Sequence, residues 1–291
     1  MKTESRLDNL RLDKRYTCSA MFSRSFLAIP FVFLAMSLPP AHAQQFASAA
    51  AVEKPPSFEV ASIKPSRPDD TSQDWDDSPG RLSIENYTLR RIVQSAYGLK
   101  SESQVLGGPK WIDKEHFDIT AKADDVETEK MRSLNGEGWV HERSLMLQSL
   151  LAERFQLKAS RSTRNLSVNA LIVARSGIRF QPSAPTEARR GLTVHNGHLT
   201  AIGISMESLA NFLTGQSENG NRVVLNRTGL TGNYDFKMDW TLDRGNGIPA
   251  DARYPGLFTA LQEQLGLKLE SQKGTVPVVT IDAASEPVLD E

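Results

Sequence analysis

The sequence predicts an α+β protein of two tandem similar units, each with two helices packed on small mixed or antiparallel sheets. Two observations carry this: a self-match at a fixed offset, and strand-like and helix-like periods that alternate along both halves. At an offset of 117, Leu82, Thr88, Leu89, Ile92, Val93, Gly98, Phe117, Asp118 and Ile119 fall on Leu199, Ser205, Met206, Leu209, Ala210, Gly215, Tyr234, Asp235 and Phe236. Further on the offset becomes 110, placing Leu147, Leu151, Glu153, Phe155, Leu157 and Lys158 on Leu257, Leu261, Glu263, Leu265, Leu267 and Lys268.

In the first unit, residues 57–180, Phe58 to Ile63 alternate as a strand that stops at Pro65, and Arg81 to Glu85 begin a second strand. Thr88 can accept a free amide hydrogen at the start of a helix whose buried stripe is Leu89, Ile92, Val93, Ala96 and Tyr97. Gly98 ends it, since glycine enters the left-handed region without a steric cost. His116 to Lys122 then alternate with Phe117, Ile119 and Ala121 inward. Leu147, Leu150, Leu151 and Phe155 line a second helix, and Leu157–Arg161 and Val168–Ala174 close the unit as two strands.

A linker is expected at 181–190, where Pro182 and Pro185 break the pattern. The second unit, 191–285, repeats the plan with Ser205 as cap, Met206, Leu209, Ala210 and Leu213 as stripe, and Gly215 as stop. Tyr234, Phe236, Met238 and Trp240 face inward along a strand, and Phe258, Leu261 and Leu265 line a helix ended by Gly266. Leu267–Glu270 and Val276–Ile281 are expected as the last two strands, followed by a frayed tail over 286–291.

The first 43 residues read as an export signal. Arg24 gives the positive flank, Phe26 to Leu38 the apolar run, and Pro39-Pro40-Ala41-His42-Ala43 the small residues a signal peptidase needs. The run falls short of the roughly 20 residues of a spanning helix, so cleavage after Ala43 is expected, with an uncleaved anchor as the alternative. Met21 is an alternative start, and residues 44–56 are expected to be a disordered leader. The expected location is the periplasm or the extracellular medium.

Cys18 is the single cysteine and lies in the signal, so the mature chain can form neither a disulfide framework nor a thiolate metal site. Residues 1–43 hold six of the 34 basic and three of the 35 acidic groups, which leaves the mature chain at a net charge of −4. That argues against a nucleic-acid partner, which would want a basic stripe. Arg154, Lys158, Arg161 and Arg164 cluster, but as a solvated helix end and strand. No later segment is apolar enough to cross a membrane.

Four blocks carry a family resemblance: Phe58 to Ser66, Gly107-Gly108-Pro109-Lys110-Trp111, Thr228 to Phe236 and Leu257 to Leu267. They resemble an uncharacterised soil-associated secreted family, abundant in acidobacteria, that carries a duplicated domain of unknown function. The resemblance implies export, and in some members fusion to antibiotic-sensing membrane metallopeptidases, but supplies no catalytic residue. The run from Asn86 through Thr88, Leu89, Ile92, Val93, Tyr97, Gly98 and Leu99 is more distantly similar to the short N-terminal domain of secretins and TonB-dependent receptors, which implies docking to other proteins.

Reactive constellations are scarce. His195-Asn196-Gly197-His198 is a two-residue hairpin whose flanking imidazoles sit side by side, yet zinc wants a third protein ligand and none is fixed by the sequence. His141-Glu142-Arg143-Ser144-Leu145 begins like a zinc-protease helix, but Leu145 stands where the second histidine is needed. Five carboxylates crowd Asp69 to Asp77 around Trp75 without the spacing of a calcium loop. Asp118, Asp235 and Asp239 fall on solvent faces of strands, where aspartates serve solubility or edge protection. Neither a Gly-x-Ser-x-Gly elbow, a Ser-x-x-Lys pair nor a phosphate loop occurs.

The sequence therefore points to an exported, non-enzymatic module that binds a protein or envelope component. No catalytic residue, cofactor or metal ligand is assigned, and the binding candidates are Asp74, Trp75 and Asp76 in the non-repeated loop, with His195 and His198. The alternatives are an exported hydrolase or small-ligand binder with its site between the units, and a calcium-stabilised envelope protein held through Asp74 and Asp76.

Overall fold

The computed structural model describes residues 55–67, 69, 71–184, 190–243, 245 and 247–290. The expected signal, most of the expected leader and part of the expected linker lie outside them.

Twelve strands and five α-helices follow in the order β1 (Val60–Pro65), β2 (Asp74–Ser78), β3 (Arg81–Thr88), α1 (Leu89–Ala96), β4 (Val105–Gly107), β5 (His116–Lys122), α2 (Asp125–Ser133), α3 (Gly136–Arg154) and β6 (Lys158–Val173). The second half follows with β7 (Gln181–Pro182), β8 (Gly191–His195), β9 (His198–Ser205), α4 (Met206–Thr214), β10 (Val224–Asn226), β11 (Asn233–Asp239), α5 (Leu257–Ala260), which runs on as a π-helical turn over Leu261–Leu265, and β12 (Leu267–Ala283).

The fold is α+β with three four-stranded sheets. The first runs β1-β5-β3-β2 and another β7-β11-β9-β8, each antiparallel throughout. Strands β2, β3 and β5 each begin 117 positions before β8, β9 and β11. The same caps start both first helices: the Thr88 hydroxyl accepts from the Arg91 amide at 3.3 Å, and the Ser205 hydroxyl accepts from the Ser208 amide at 3.1 Å.

The two segments are not successive bodies. Between them lies a mixed sheet, β10-β6-β12-β4, in which β6 and β12 pair antiparallel over nearly their whole length. At its middle Asn165 sits opposite Thr275, 110 positions later, so the ribbon is pseudo-symmetric about that point: the Leu171–Leu269 pair is mirrored by Ala159–Ile281. The short strands cross over: β4 of the first half runs parallel to β12, and β10 of the second half runs parallel to β6. The described residues accordingly form one compact unit.

Each core is completed from the other half. Leu89, Ile92 and Val93 of α1, Leu147 and Leu151 of α3 and Phe117 and Ile119 of β5 pack with Val279 and Ile281 of β12. Met206, Leu209 and Leu213 of α4, Tyr234 and Phe236 of β11 and Leu261 and Leu265 pack with Leu171 of β6. Burying a large aliphatic side chain stabilises by about 1.5–3 kcal/mol, so these shared strands carry real weight in both cores. Polar ties cross the seam as well, from the Gln104 side-chain amide to the Pro277 carbonyl at 2.8 Å and from the Ser101 hydroxyl to the Asn221 carbonyl at 2.6 Å. Arg90 fastens β4 to α1 by donating to the Val105 and Gly107 carbonyls and pairing with Asp113. Its hydrogen bond holds the Asp113 carboxyl below the ordinary carboxylate range.

Several expectations are corrected. Leu157–Arg161 with Val168–Ala174 are one strand, β6, and Leu267–Glu270 with Val276–Ile281 are one strand, β12, because main-chain pairing between the two carries the polar middle that lacks alternation. Within the expected linker, Gln181 and Pro182 pair with Asp235 and Tyr234 and close a sheet edge. The expected non-repeated loop holding Asp74, Trp75 and Asp76 is instead strand β2, paired along β3. A third helix in the first half, α2, starts where the Asp124 carboxylate accepts from the Glu127 amide at 2.7 Å. Phe258 is 47% exposed rather than on the buried face, which Leu257, Ala260, Leu261 and Leu265 supply. Nor does the tail fray at Asp290: its amide donates to the Ile63 carbonyl and its carboxylate accepts from the Ile63 amide. Among the described residues no helix is long and apolar enough to cross a membrane.

Candidate functional site

The exposed flank of α3 carries two large concavities. Tyr97 caps the end of α1, and Gly98, at φ 65°, turns the chain away beside it. From β6, Arg161 lays its guanidinium 4.9 Å from the centre of the Tyr97 ring and donates Nη1 to the Tyr97 carbonyl at 3.1 Å. Such a cation over an aromatic face is favourable by about 0.5–1 kcal/mol at an exposed site. Burial pushes the Tyr97 phenol above its ordinary pKa, with the Arg161 charge working against it.

Two cavities meet at Tyr97. One, of about 810 Å³, is bounded by Gly136, Val140, His141, Ser144 and Arg161. The other, of about 870 Å³, is bounded by Pro55, Phe58, Glu59, Asp124, Ala152 and Glu153. They share Tyr97, Leu145 and Gln148 and so form one groove along α3. Two hydrogen bonds fix its walls: the Gln148 side-chain amide donates to the Ala96 carbonyl and the Ser149 hydroxyl to the Pro56 carbonyl, both at 2.8 Å.

Across Gly98 a smaller cavity of about 430 Å³ is lined by Trp75, Tyr87 and Arg143. Here the charge is already matched. Arg143 lies 6.0 Å from the Trp75 ring centre and 5.6 Å from that of Trp139, and donates to Asp77 at 2.5 Å. Trp75 donates its indole N–H to the same carboxylate at 3.1 Å and meets Tyr87 edge-on at 5.4 Å.

This geometry relocates the sequence candidates. Trp75 is half-buried, bracing β2 against the first core, whereas Asp74 and Asp76 are exposed on the opposite face of the strand from Asp77. Alternation along β2 thus puts Asp74 and Asp76 together on one face and Asp77 on the other. His195 and His198 do face each other across a turn in which Asn196 and Gly197 both have positive φ, as a two-residue hairpin requires. The ring Nδ1 of His198 lies 2.8 Å from Asp239 Oδ1, with Tyr254 edge-on at 5.6 Å, and His195 Nε2 lies 3.2 Å from the Asn196 side-chain amide. Among the described residues no three His, Cys, Asp or Glu side chains are grouped to hold a metal.

Asp118 and Asp235 are not free solvent-face groups either. Their carboxylates accept from the backbone amides of Asn86 at 2.9 Å and Gly203 at 2.7 Å. At the seam between the halves lies a cavity of about 420 Å³ bounded by Asn169, Glu218, Asn219, Arg222 and Ser271, half the size of either part of the groove.

Sequence reading misses Tyr97, Arg161 and the α3 flank. Tyr97 reads as the last residue of a buried stripe and Arg161 as part of a solvated cluster, because the contact between them spans 64 positions. The second half has no such pair: at the aligned positions stand Leu192 for Trp75, Ile204 for Tyr87, Thr214 for Tyr97 and Ser271 for Arg161. Thr214 is buried and its hydroxyl accepts from the Val224 amide.

Residues 90–284 match the model of a family described as proteins of unknown function, DUF3738. The chain belongs to the DUF3738 family. No curated protein and no solved structure matches it. The DUF3738 stretch opens inside α1 and closes at the end of β12, so it takes in Tyr97, α3 and Arg161 and leaves out β2 and the Pro55–Glu59 wall of the groove.

Proposed function

We propose that this DUF3738 protein is an exported binding module, without chemistry of its own, that takes a ligand or a protein segment from the cell envelope in the groove along α3. The observation that carries the reading is the Tyr97–Arg161 pair: an arginine with no carboxylate partner among the described residues, stacked on a half-buried aromatic ring in the part of the groove whose wall is mainly apolar. Concave, largely apolar sites with a few placed polar groups are what ligand pockets are made of. Export rests on the signal-like character of residues 1–43. Descent from a duplicated unit is supported by the common strand order of the two antiparallel sheets and the 117-residue spacing. On this reading the second half kept the scaffold, while the first gained the aromatic and cationic residues of a site.

A photo-crosslinking residue at Val140, which is 48% exposed and lines the groove, tests this against the same residue at Val126, 81% exposed on α2. In cells exporting the protein, defined adducts are expected at Val140 and not at Val126. Equal labelling at both, or none at Val140, removes the groove as the binding site.

A further inference from the structure

The groove is electrically lopsided. At one end stand Arg161 and His141 with the exposed Glu137 beside them; at the other stand Glu59, Asp124 and Glu153, with Tyr97 and Leu145 between. None of the charged groups Arg161, Glu59, Asp124 and Glu153 is in an ion pair among the described residues, although Asp124 also caps α2. Charges so placed along one concavity ask for a ligand with two ends of opposite sign.

Resting on the groove as the ligand site, we infer that it accepts a short extended peptide lying along α3, with its free carboxylate at Arg161 and an amino group at Glu59 and Glu153. Arg161 spends one N–H on the Tyr97 carbonyl, and the rest of its planar fork matches a carboxylate. The flank of α3 that lines the groove, from His141 to Glu153, is twelve helical positions, about 18 Å at 1.5 Å per residue. An extended chain advances about 3.3 Å per residue, so the flank has room for at most five or six residues. Tyr97 and Leu145 offer apolar contact to side chains in between. A fatty acid would satisfy only the Arg161 end, and a nucleic acid would be repelled by the four carboxylates Glu59, Asp124, Glu137 and Glu153.

Calorimetric titration of the exported protein with the hexapeptide Lys-Ala-Leu-Val-Ala-Ala, as free acid and as C-terminal amide, tests the assignment. The free acid is expected to bind, and the amide at least tenfold more weakly. Arg161→Gln should weaken the free acid by a similar factor and leave the amide unchanged, a selectivity that general damage to the fold would not produce. Glu153→Gln combined with Glu59→Gln should weaken the free acid but not a version with its amino terminus acetylated and lysine replaced by norleucine. Equal affinity for acid and amide, tighter binding of palmitate than of the peptide, or no binding at millimolar peptide overturns the inference. If the peptide fails while Val140 adducts persist, only the ligand class is wrong; if both fail, the groove is wrong as well.

Discussion

The carboxylate of Asp118 closes the kink in β3 at Asn86, accepting the Asn86 backbone amide at 2.9 Å where the pairing with β5 slips between Ile84 and Tyr87. Asn86 has φ 61° and lies just before the Thr88 cap, so this contact aims the chain into α1. In the second half Asp235 accepts from Gly203, at φ 62°, in the same place before the Ser205 cap. What reads as a pair of matched surface aspartates is one device used twice, a side-chain acceptor for a backbone amide at the irregularity in the strand.

The two aspartates differ in load. Asp118 also accepts the Ser66 hydroxyl at 2.6 Å, and Asn86 is buried. Hydrogen bonds to a charged group contribute about 1.5–3 kcal/mol, and Asp118 accepts two where Asp235 accepts one. Asp118→Ala should therefore lower unfolding stability by about 2–4 kcal/mol, and Asp235→Ala by about 1–3 kcal/mol. Urea denaturation of both variants checks the order; a larger loss for Asp235→Ala contradicts it.

The tail should respond to acid. The Ile63 amide at 2.8 Å, together with Arg154 at 2.9 Å, holds the Asp290 carboxyl below its ordinary pKa. A carboxyl whose pKa is depressed in the folded state contributes fully above its unfolded value, near 3.8, and loses that contribution as pH falls through the folded value. Hydrogen exchange at the Ile63 amide should be slower than in Asp290→Asn at neutral pH, with the ratio falling towards one below pH 3.8. A ratio that stays constant into that acid range would show that the carboxylate charge does not hold the tail.

Glu127 has the opposite sign. Burial raises its pKa, with Lys130 at 3.4 Å opposing, while Lys130 makes its closer contact to Glu142 at 2.7 Å. A raised carboxyl pKa opposes folding when the group is ionised, and the penalty fades as pH falls through the folded value towards the unfolded one. Glu127→Gln should raise the melting temperature at pH 7 by about 1–2 °C, a surface-scale effect. The gain should vanish near pH 4, and thermal scans at both pH values decide it. A gain of equal size at both would assign the effect to packing instead.

Local chemistry was legible in the sequence wherever neighbours in the chain decide it. The Thr88 and Ser205 caps, the strand His116–Lys122 and the His195–His198 hairpin all stand where spacing places them. Long-range pairing was not legible. The stretch Ser160–Ser167 is polar on both faces and gives no period, yet it is strand because β12 lies alongside it. Asp74–Ser78 reads as acidic loop because its strand character comes from β3, and its charges suit an exposed edge. Of the site, only Trp75 was singled out, and it proved to be a brace; Arg161 and Tyr97 become a pair only once β6 is laid beside α1.

Sharing of the central sheet makes the halves dependent on each other. A chain of residues 55–180 would keep α1, α3 and β5 but lose Val279 and Ile281 from its core, and β4 would lose its parallel partner. It would also expose β6 along the edge normally held by β12, an unpaired edge that invites association. Because β6 and β12 follow one register about Asn165 and Thr275, a second copy of β6 is the natural substitute for β12. The isolated segment should therefore show no cooperative monomeric unfolding, and any folded fraction should be dimeric and melt at a temperature that rises with concentration. Sedimentation and thermal scans across a hundredfold concentration range test this. A monomer with a sharp, concentration-independent transition would show that the first half needs neither its neighbour's strand nor a copy of its own.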